Sequence, residues 1–341
     1  MTQTNGSATW FHNHPVLSII LIVIFIILLI LAWFAFKPFK VSEEVTADPA
    51  DSYKEALARI EAIQADEDTR GNLNPVCLTT LMTHGERTED VIVFLHGFTS
   101  CPDQFVELGK EFYERGYNVY IPRTPHHGLA DLMTDDLLNL TVEESIAFAS
   151  QSADIAQGLG EHVTVSGLSG GGTMTAWLAQ NRDDVDVAMP MAPFLGIKFI
   201  PAPLTRTFTN AVLTLPNMWM WWDPIHKENN PLSASYSYRR YPTHTLAELM
   251  RLGFITAEDA QGNTPASSKI IVVTNANDDS INNKVVAQLV GDWQKYGDIL
   301  VDTYEFADSL ELPHDFITPG RPDAHIDISY PIILELLGIK E

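Results

Sequence analysis

Residues 167–171 read Gly-Leu-Ser-Gly-Gly and place one hydroxyl between glycines, at the junction of a β-rich run and a helical run. Glycine lacks a Cβ, so it permits the strained turn that presents a serine at the start of a helix. The partial positive charge of a helix N-terminus also stabilises negative charge that develops on oxygen. The pattern predicts that Ser169 is a nucleophile. The alternative is a glycine-rich turn with an incidental serine.

A second turn, His96-Gly97-Phe98, follows the apolar run 91–95. The backbone N–H of Phe98 and the N–H of Gly170 are the expected donors of an oxyanion hole, a pair of amides that binds the negatively charged oxygen of a reacting carbonyl. His96 itself is expected to hold this loop through hydrogen bonds rather than to act as a base.

The two motifs, together with Pro-Arg-Thr-Pro-His-His-Gly at 122–128, resemble the α/β-hydrolase superfamily. Within it, the chain is most similar to the carboxylesterase and monoacylglycerol-lipase group, also called serine aminopeptidase-like. Members usually have Gly-His-Gly where this chain has His126-His127-Gly128, which leaves the role of that loop open. The resemblance covers residue 76 to the C-terminus. It implies hydrolysis of carboxylic esters through an acyl-enzyme, with no metal or organic cofactor.

The resemblance further implies that serine, acid and histidine follow one another in this order along the chain. The acid should follow the strand predicted at 270–274, where Asn275 can form the turn. This favours Asp278 as the acid that orients the histidine, and Asp279 is the alternative. Asp279 could instead cap the helix that begins near Asn282.

The histidine should follow the last strand, predicted at 299–306. His314 comes soon after that strand in a loop and is the favoured general base, which takes the proton of Ser169 and returns it to the leaving group. His325 is the alternative, but it opens the final predicted helix and would then be a surface or capping residue.

Short β-rich runs alternate with helical segments from residue 76 onward. This rhythm predicts a mostly parallel sheet with helices on both faces, which is the α/β-hydrolase fold, over residues 76–341. The first two runs, separated by a polar turn, suggest an antiparallel hairpin at the edge. The strands are expected at 77–82, 91–95, 117–121, 162–166, 185–191, 270–274 and 299–306, and the helices at 102–115, 142–158, 171–181, 283–296 and 326–337.

Residues from about 195 to 268 interrupt this alternation with short helical pieces and no clear strand. A stretch of this length cannot be a plain loop in a compact domain, so we expect an inserted helical lid. Residues 219–222 read Trp-Met-Trp-Trp and could line an acyl pocket or pack against the sheet.

Residues 16–36 contain no charged residue, and their length suits one transmembrane helix. The run is longer than a signal-peptide core and lacks a small-residue cleavage site, so we expect a permanent anchor with Trp10 and Trp33 near the interfaces. An N-terminal tail at 1–15 precedes it. An acidic linker and a helix at 50–65 occupy 37–75, before the hydrolase domain.

Two opposing signals bear on the side of the membrane, and together they lean toward a cytoplasmic hydrolase domain. Lys37 and Lys40 follow the span and none precedes it, which favours a cytoplasmic hydrolase domain. Cys77 and Cys101 could form a disulfide, which would imply an oxidising compartment, or could be two buried thiols.

Composition excludes several classes of function. The chain of 341 residues carries 44 acidic and 21 basic residues, a net charge of −23, so nucleic acid is not an expected partner. Two cysteines are too few for a structural zinc site, and no metal is expected. We therefore expect a membrane-anchored serine hydrolase of small or lipid-like esters. The alternatives are an amide or peptide hydrolase with the same three residues, and a catalytically silent binding module at the membrane.

Overall fold

The computed structural model describes residues 14–41, 45–297 and 299–339. The expected N-terminal tail, apart from residues 14 and 15, and Trp10 within it lie outside the described residues.

Seven of the nine strands in the described residues form one sheet at the centre of the domain. The strands are β1 (Thr80–Met82), β2 (Thr88–Leu95), β3 (Asn118–Ile121), β4 (Gly160–Leu168), β5 (Val187–Met191), β6 (Trp219–Trp221), β7 (Arg240–Pro242), β8 (Lys269–Asn275) and β9 (Leu300–Phe306). Their order in the seven-stranded sheet is β1-β3-β2-β4-β5-β8-β9. All neighbouring pairs are parallel except β1 with β3. The predicted mostly parallel sheet is therefore confirmed.

The predicted hairpin between the first two strands is wrong. β1 pairs antiparallel with β3, Thr80 facing Ile121, and β2 lies between β3 and β4. The apolar half of β2 is fully buried, as a strand covered on both faces requires. β1 has only three half-buried residues, which suits the sheet edge.

Nine α-helices surround the sheet or precede it within the described ranges. The helix that follows β4 begins directly after Ser169, and a capping box formed by Thr141 and Glu144 starts the helix before β4. The helices are α1 (Pro15–Phe36), α2 (Tyr53–Thr69), α3 (Asp103–Tyr113), α4 (Val142–Leu159), α5 (Gly170–Asn181), α6 (Thr205–Thr214), α7 (Thr243–Ala260), α8 (Asn283–Trp293) and α9 (Ile326–Leu336).

The insertion after β5 contains helices α6 and α7, as expected, but it also contains strands. β6 and β7 pair antiparallel as a separate two-stranded sheet, so the expectation of no strand there is wrong. The two strands have three residues each and are joined by 18 residues rather than by a two-residue turn, which is why no hairpin pattern marks them. α7 packs against α5 and so brings the insertion over the start of that helix.

The N-terminal helix α1 has 22 residues, about 33 Å, and is long and apolar enough to cross a bilayer. Its apolar side chains are exposed along most of its length. Its C-terminal end contacts α6 of the insertion.

Cys77 and Cys101 form a disulfide, and both side chains are fully buried. Cys77 ends a short 3-10 helix before β1, and Cys101 follows the turn after β2. The bond therefore fastens the start of the domain to the loop that contains Phe98.

Candidate active site

Ser169 occupies a sharp turn between β4 and α5. Its φ is +57°, a region that is strained for a residue with a side chain. The turn requires glycine at two neighbouring positions. A Cβ on Gly171 would lie 1.9 Å from the carbonyl oxygen of Leu95, and one on Gly167 would lie 2.6 Å from the carbonyl carbon of Gly171. The backbone of this turn therefore presses directly against the end of β2.

The two expected oxyanion donors are neighbours. A Cβ on Gly170 would lie 3.2 Å from the backbone nitrogen of Phe98. Among the hydrogen bonds of the described residues, none uses the N–H of Phe98 or of Gly170. Gly170 is the first residue of α5, where helix N–H groups have no partner inside the helix. Both amides are thus free to bind an anionic oxygen.

His314 and Asp278 are joined by a short hydrogen bond, in which His314 Nδ1–H donates to Asp278 Oδ2 at 2.6 Å. The other carboxylate oxygen of Asp278 accepts from the N–H groups of Ser280 and Ile281, at 2.8 and 3.0 Å. Asp278 is buried, so its orientation is fixed by these three bonds. The hydrogen bond through Nδ1 leaves His314 Nε2 free to accept a proton.

The charges of this pair are mutually supported. Burial alone would raise the pKa of Asp278. His314 and the hydrogen bonds that the Asp278 carboxylate accepts hold this pKa below its ordinary value. Burial alone would lower the pKa of His314, but Asp278, Asp315 and Asp279 raise it above its ordinary value. Asp278 is therefore ionised at neutral pH, and the imidazolium form of His314 is stabilised.

The two alternative residues do not take the place of Asp278 or His314. The Asp279 side chain accepts a hydrogen bond from the Ser280 hydroxyl and does not contact His314 through a hydrogen bond in the described chain. It does not cap α8 either, because Asn282 accepts from the N–H of Lys284 at that helix start. His325 is exposed directly before α9, where its backbone carbonyl, not its side chain, accepts from the helix.

Ser169 and His314 line a common cavity of about 240 Å³, but no hydrogen bond joins them within the described ranges. Such bonds are often long before substrate binds. The insertion contributes Trp222 and Leu232 to the wall. Trp222 Nε1–H donates to Thr99 Oγ1 at 2.9 Å. One tryptophan of residues 219–222 therefore lines the cavity and also holds the oxyanion loop, which is the loop after β2 that contains Phe98 and Thr99.

Gln104 is a residue of the site that the sequence pattern does not predict. Its side-chain oxygen accepts from the N–H of Gly97 at 2.7 Å, and its nitrogen donates to Asp315 Oδ2 and Thr318 Oγ1, both at 3.2 Å. Gln104 is buried and thereby connects the oxyanion loop with the loop of His314. A single glutamine in the first turn of α3 carries no sequence signal for this role.

Two other histidines of the sequence motifs, His96 and His126, make structural contacts. His96 Nδ1–H donates to the carbonyl of Gly97, and Nε2 accepts from the N–H of Thr124. Burial lowers the pKa of His96 to about 4, so the ring stays neutral. The expectation of a structural His96 is met. His126 has its two ring nitrogens beside Asp136 and Glu144, at 3.0 and 3.3 Å.

Within the part of the chain that the structure describes, no group of three or more histidine, cysteine or acidic side chains is arranged to hold a metal ion.

Comparison with known proteins agrees with this architecture. The sequence profile of the Alpha/beta hydrolase family matches residues 92–314. The chain is 28% identical over 162 residues to the thermostable monoacylglycerol lipase of Bacillus sp. (strain H-257), a match that covers 47% of this chain and 60% of that protein. The chain thus spans less than two thirds of the length of this relative.

Two solved structures share the fold. The monoacylglycerol lipase of Paleococcus ferrophilus superposes with a TM-score of 0.55 at 16% identity, over 76% of this chain and 98% of that one. A soluble variant of monoglyceride lipase from Saccharomyces cerevisiae, in complex with a substrate analogue, superposes with a TM-score of 0.56 at 12% identity, over 76% and 90%. The family match spans more than half of the sequence, so the chain belongs to the α/β hydrolase family, in which it is lipase-like and esterase-like.

Proposed function

We propose that this protein is a membrane-anchored serine hydrolase that cleaves carboxylic esters through an acyl-enzyme. Ser169 is the nucleophile, His314 the general base and acid, and Asp278 the residue that orients His314. The observation that supports this most is the 2.6 Å hydrogen bond from His314 to the buried Asp278, beside a serine in a strained turn on the same cavity.

In the acylation step, Ser169 Oγ attacks the ester carbonyl carbon while its proton moves to His314 Nε2. The carbonyl oxygen becomes an oxyanion and accepts hydrogen bonds from the N–H groups of Phe98 and Gly170. When the carbon–oxygen bond breaks, the leaving alcohol takes the proton from His314. The acyl group remains on Ser169.

In the second step, water attacks the acyl carbon and gives its proton to His314. The second oxyanion forms at the same two amides and collapses with release of the carboxylic acid, and the proton returns to Ser169. Asp278 stays ionised throughout, because its role is to hold the ring and to stabilise the imidazolium.

The anchor and the relatives suggest the substrate class. The matched relatives include monoacylglycerol lipases, and α1 would hold the domain beside lipids. We infer that the substrate is a lipid-like ester. The cavity of about 240 Å³ is below the ~300 Å³ at which ligand pockets typically begin, so acyl chains of short or medium length fit it best.

One observation favours an amide or peptide hydrolase as the second candidate. Asp279, Asp315 and Asp323 all line the cavity and could bind a free amino group. However, Asp315 and Asp323 pair with Arg321 at 3.6 and 2.8 Å, so Asp279 is the carboxylate of the three without an ion pair among the described residues. Rates on aminoacyl-anilides against nitrophenyl esters separate the two candidates.

We infer that the hydrolase domain faces an oxidising compartment. The buried disulfide between Cys77 and Cys101 supports this side, since cytosolic thiols are kept reduced. Lys37 and Lys40 favour the opposite side, but two lysines are a small bias. To test the side of the membrane, whole cells are denatured in the presence of a maleimide-polyethylene glycol, which modifies free thiols, with and without reductant. Modification without reductant would place the domain in the cytoplasm.

The decisive experiment for the chemistry is labelling with a fluorophosphonate, which reacts only with an activated serine. We expect labelling of the full chain in detergent and its loss in Ser169→Ala, His314→Ala and, in large part, Asp278→Asn. Asp279→Asn and His325→Ala are the matched controls and should label at the wild-type rate at pH values above the acid limb.

Each alternative gives a different pattern. Labelling that persists without His314 and disappears without His325 would move the base to His325. A folded wild-type chain that neither labels nor hydrolyses any ester would indicate a silent binding module.

A further inference from the structure

The C-terminal end of α1 is held by side chains of the insertion. The last carbonyl groups of a helix have no partner inside the helix. Asn210 of α6 donates from its amide nitrogen to the carbonyls of Phe34 and Lys37, at 2.9 and 3.1 Å, and Arg206 donates to the Lys37 carbonyl at 3.0 Å. A cationic side chain at a helix C-terminus is also electrostatically favourable.

The chain after α1 is bound to the same region. Phe39 is buried and stacks on Phe254 of α7 with ring centres 5.1 Å apart, and the Arg206 guanidinium lies 4.9 Å from the Phe39 ring centre. Arg251 of α7 donates to the carbonyl of Lys40. The anchor is therefore docked on the insertion and is not a loose tether.

These contacts fix the depth of α6 relative to a bilayer. The uncharged run of α1 ends at Phe36, and Lys37 is the first charged residue after it, so the membrane–water interface lies at this level. Asn210 contacts carbonyls on both sides of that boundary. Since these carbonyls are three residues apart, about 4.5 Å of helix rise, α6 has to lie at the interface too.

The segment around α6 has the composition of such a position. Residues 199–222 contain one charged residue, Arg206, in a chain of net charge −23. Two large apolar side chains precede α6 and two follow it, and all four are exposed: Phe199 (81%), Leu204 (55%), Leu215 (56%) and Met218 (58%). A carboxylate-free apolar surface of this kind is suited to the acyl–headgroup boundary.

We propose that Phe199, Leu204, Leu215 and Met218 form a membrane-contact surface that lies in the interfacial layer of the bilayer crossed by α1. The proposal rests on the anchor assigned above as part of the proposed function. Its partner is the lipid surface itself, and not a second protein, because the surface continues directly from the end of the anchor.

The surface also lies next to the cavity mouth along the chain. Trp222 and Leu232 line the cavity and are partly exposed, at 39% and 43%. Trp222 ends the segment 199–222, four residues after Met218, and Leu232 lies farther along the insertion. A mouth at Trp222 therefore opens beside the bilayer. An uncharged ester dissolved in the membrane can then enter without crossing bulk water.

The first test measures depth and needs no catalysis. The full chain is reconstituted in phosphatidylcholine vesicles with a nitroxide on Leu215→Cys or Met218→Cys, and on Leu300→Cys as the control. Leu300 is equally exposed, at 53%, but begins β9 at the far edge of the sheet. We expect labels at 215 and 218 to collide more with oxygen and less with a water-soluble nickel chelate than the label at 300. Equal nickel accessibility at all three positions would overturn the proposal.

The second test measures delivery. In Leu215→Glu/Met218→Glu, hydrolysis of a monoacylglycerol carried in vesicles should fall about tenfold, because charges are costly on a lipid-facing surface. Hydrolysis of water-soluble nitrophenyl acetate should stay unchanged, and Leu300→Glu should affect neither. An equal loss on both substrates, or no loss on either, would contradict the surface. If the chain hydrolyses neither ester, the proposed function fails, and the depth measurement still decides whether the membrane-contact surface exists.

Discussion

Gln104 is the side chain whose replacement tests the construction of the site most directly. Its oxygen holds the N–H of Gly97, the residue before the oxyanion donor Phe98. Its nitrogen holds Asp315 and Thr318, which follow His314 in the same loop. Gln104→Met keeps the length of the side chain and removes both sets of hydrogen bonds.

The size of the effect follows from these bonds. The buried N–H of Gly97 would lose its partner, which costs about 1–3 kcal/mol. Asp315 would keep its hydrogen bond from the Thr318 hydroxyl and its ion pair with Arg321, so losing the hydrogen bond from Gln104 adds about 1 kcal/mol. We expect the free energy of unfolding to fall by about 2–4 kcal/mol.

The effect on catalysis is smaller than removal of an oxyanion donor. Loss of one donor typically lowers kcat by about 10²–10³. Gln104 does not touch the oxyanion and acts by positioning the turn, so kcat should fall by about tenfold with KM nearly unchanged.

Gln104→Glu is the matched variant. It retains an acceptor for Gly97 but loses the donors to Asp315 and Thr318 and adds negative charge near His314. Its kcat at high pH should exceed that of Gln104→Met, while the acid limb of its kcat/KM profile moves to higher pH. Steady-state kinetics on a soluble ester and urea unfolding measure both effects. A folded Gln104→Met with wild-type kcat would refute the positioning role, and equal kcat in the two variants would show that the Gly97 contact is not responsible.

Three further predictions concern residues around the site. The pKa of His314 is raised partly by Asp279, so Asp279→Asn should move the acid limb of the kcat/KM profile to lower pH. The plateau of the profile should stay unchanged, and an acid limb that does not move would contradict this prediction. The double variant Cys77→Ala/Cys101→Ala releases a disulfide with a sequence separation of 24, so the free energy of unfolding in urea should fall by about 3 kcal/mol, and a fall below about 1 kcal/mol would argue against a stabilising bond. Trp222→Ala should enlarge the cavity and shift the ester preference toward longer acyl chains, whereas Trp222→Phe should keep the wild-type preference; identical chain-length profiles would show that Trp222 does not limit the cavity.

The fold could be predicted because its signals are local. Alternating runs reveal strands and helices, and the buried run 91–95 reveals a strand covered on both faces. Pairing is not local, and so the hairpin prediction for β1 failed. β1 has three residues, too few for its pattern to show whether it pairs with β2 or with β3. It pairs with β3 because β2 already has β3 and β4 as its two neighbours.

The residues of the candidate site likewise differ in whether a local sequence pattern predicts them. Ser169 is marked by glycines that the turn itself demands. Asp278 and Asp279 are adjacent in sequence, and only the three-dimensional loop determines that Asp278 reaches His314 while Asp279 bonds with Ser280. Gln104 could not be found, because its three partners lie in two loops separated from one another by more than 200 residues.

The close packing of Gly171 against Leu95 has a consequence for how such a protein can diversify. The serine turn and the oxyanion turn meet backbone to backbone, with no side chain between them. The approach of the two turns is therefore fixed by backbone contact, and side chains such as Gln104 adjust the oxyanion turn around that contact. The walls that select a substrate, such as Trp222 and Leu232, come from a separate insertion. Substitutions, and even changes of length, in that insertion can alter selectivity while the backbone contact between the serine turn and the end of β2 is retained.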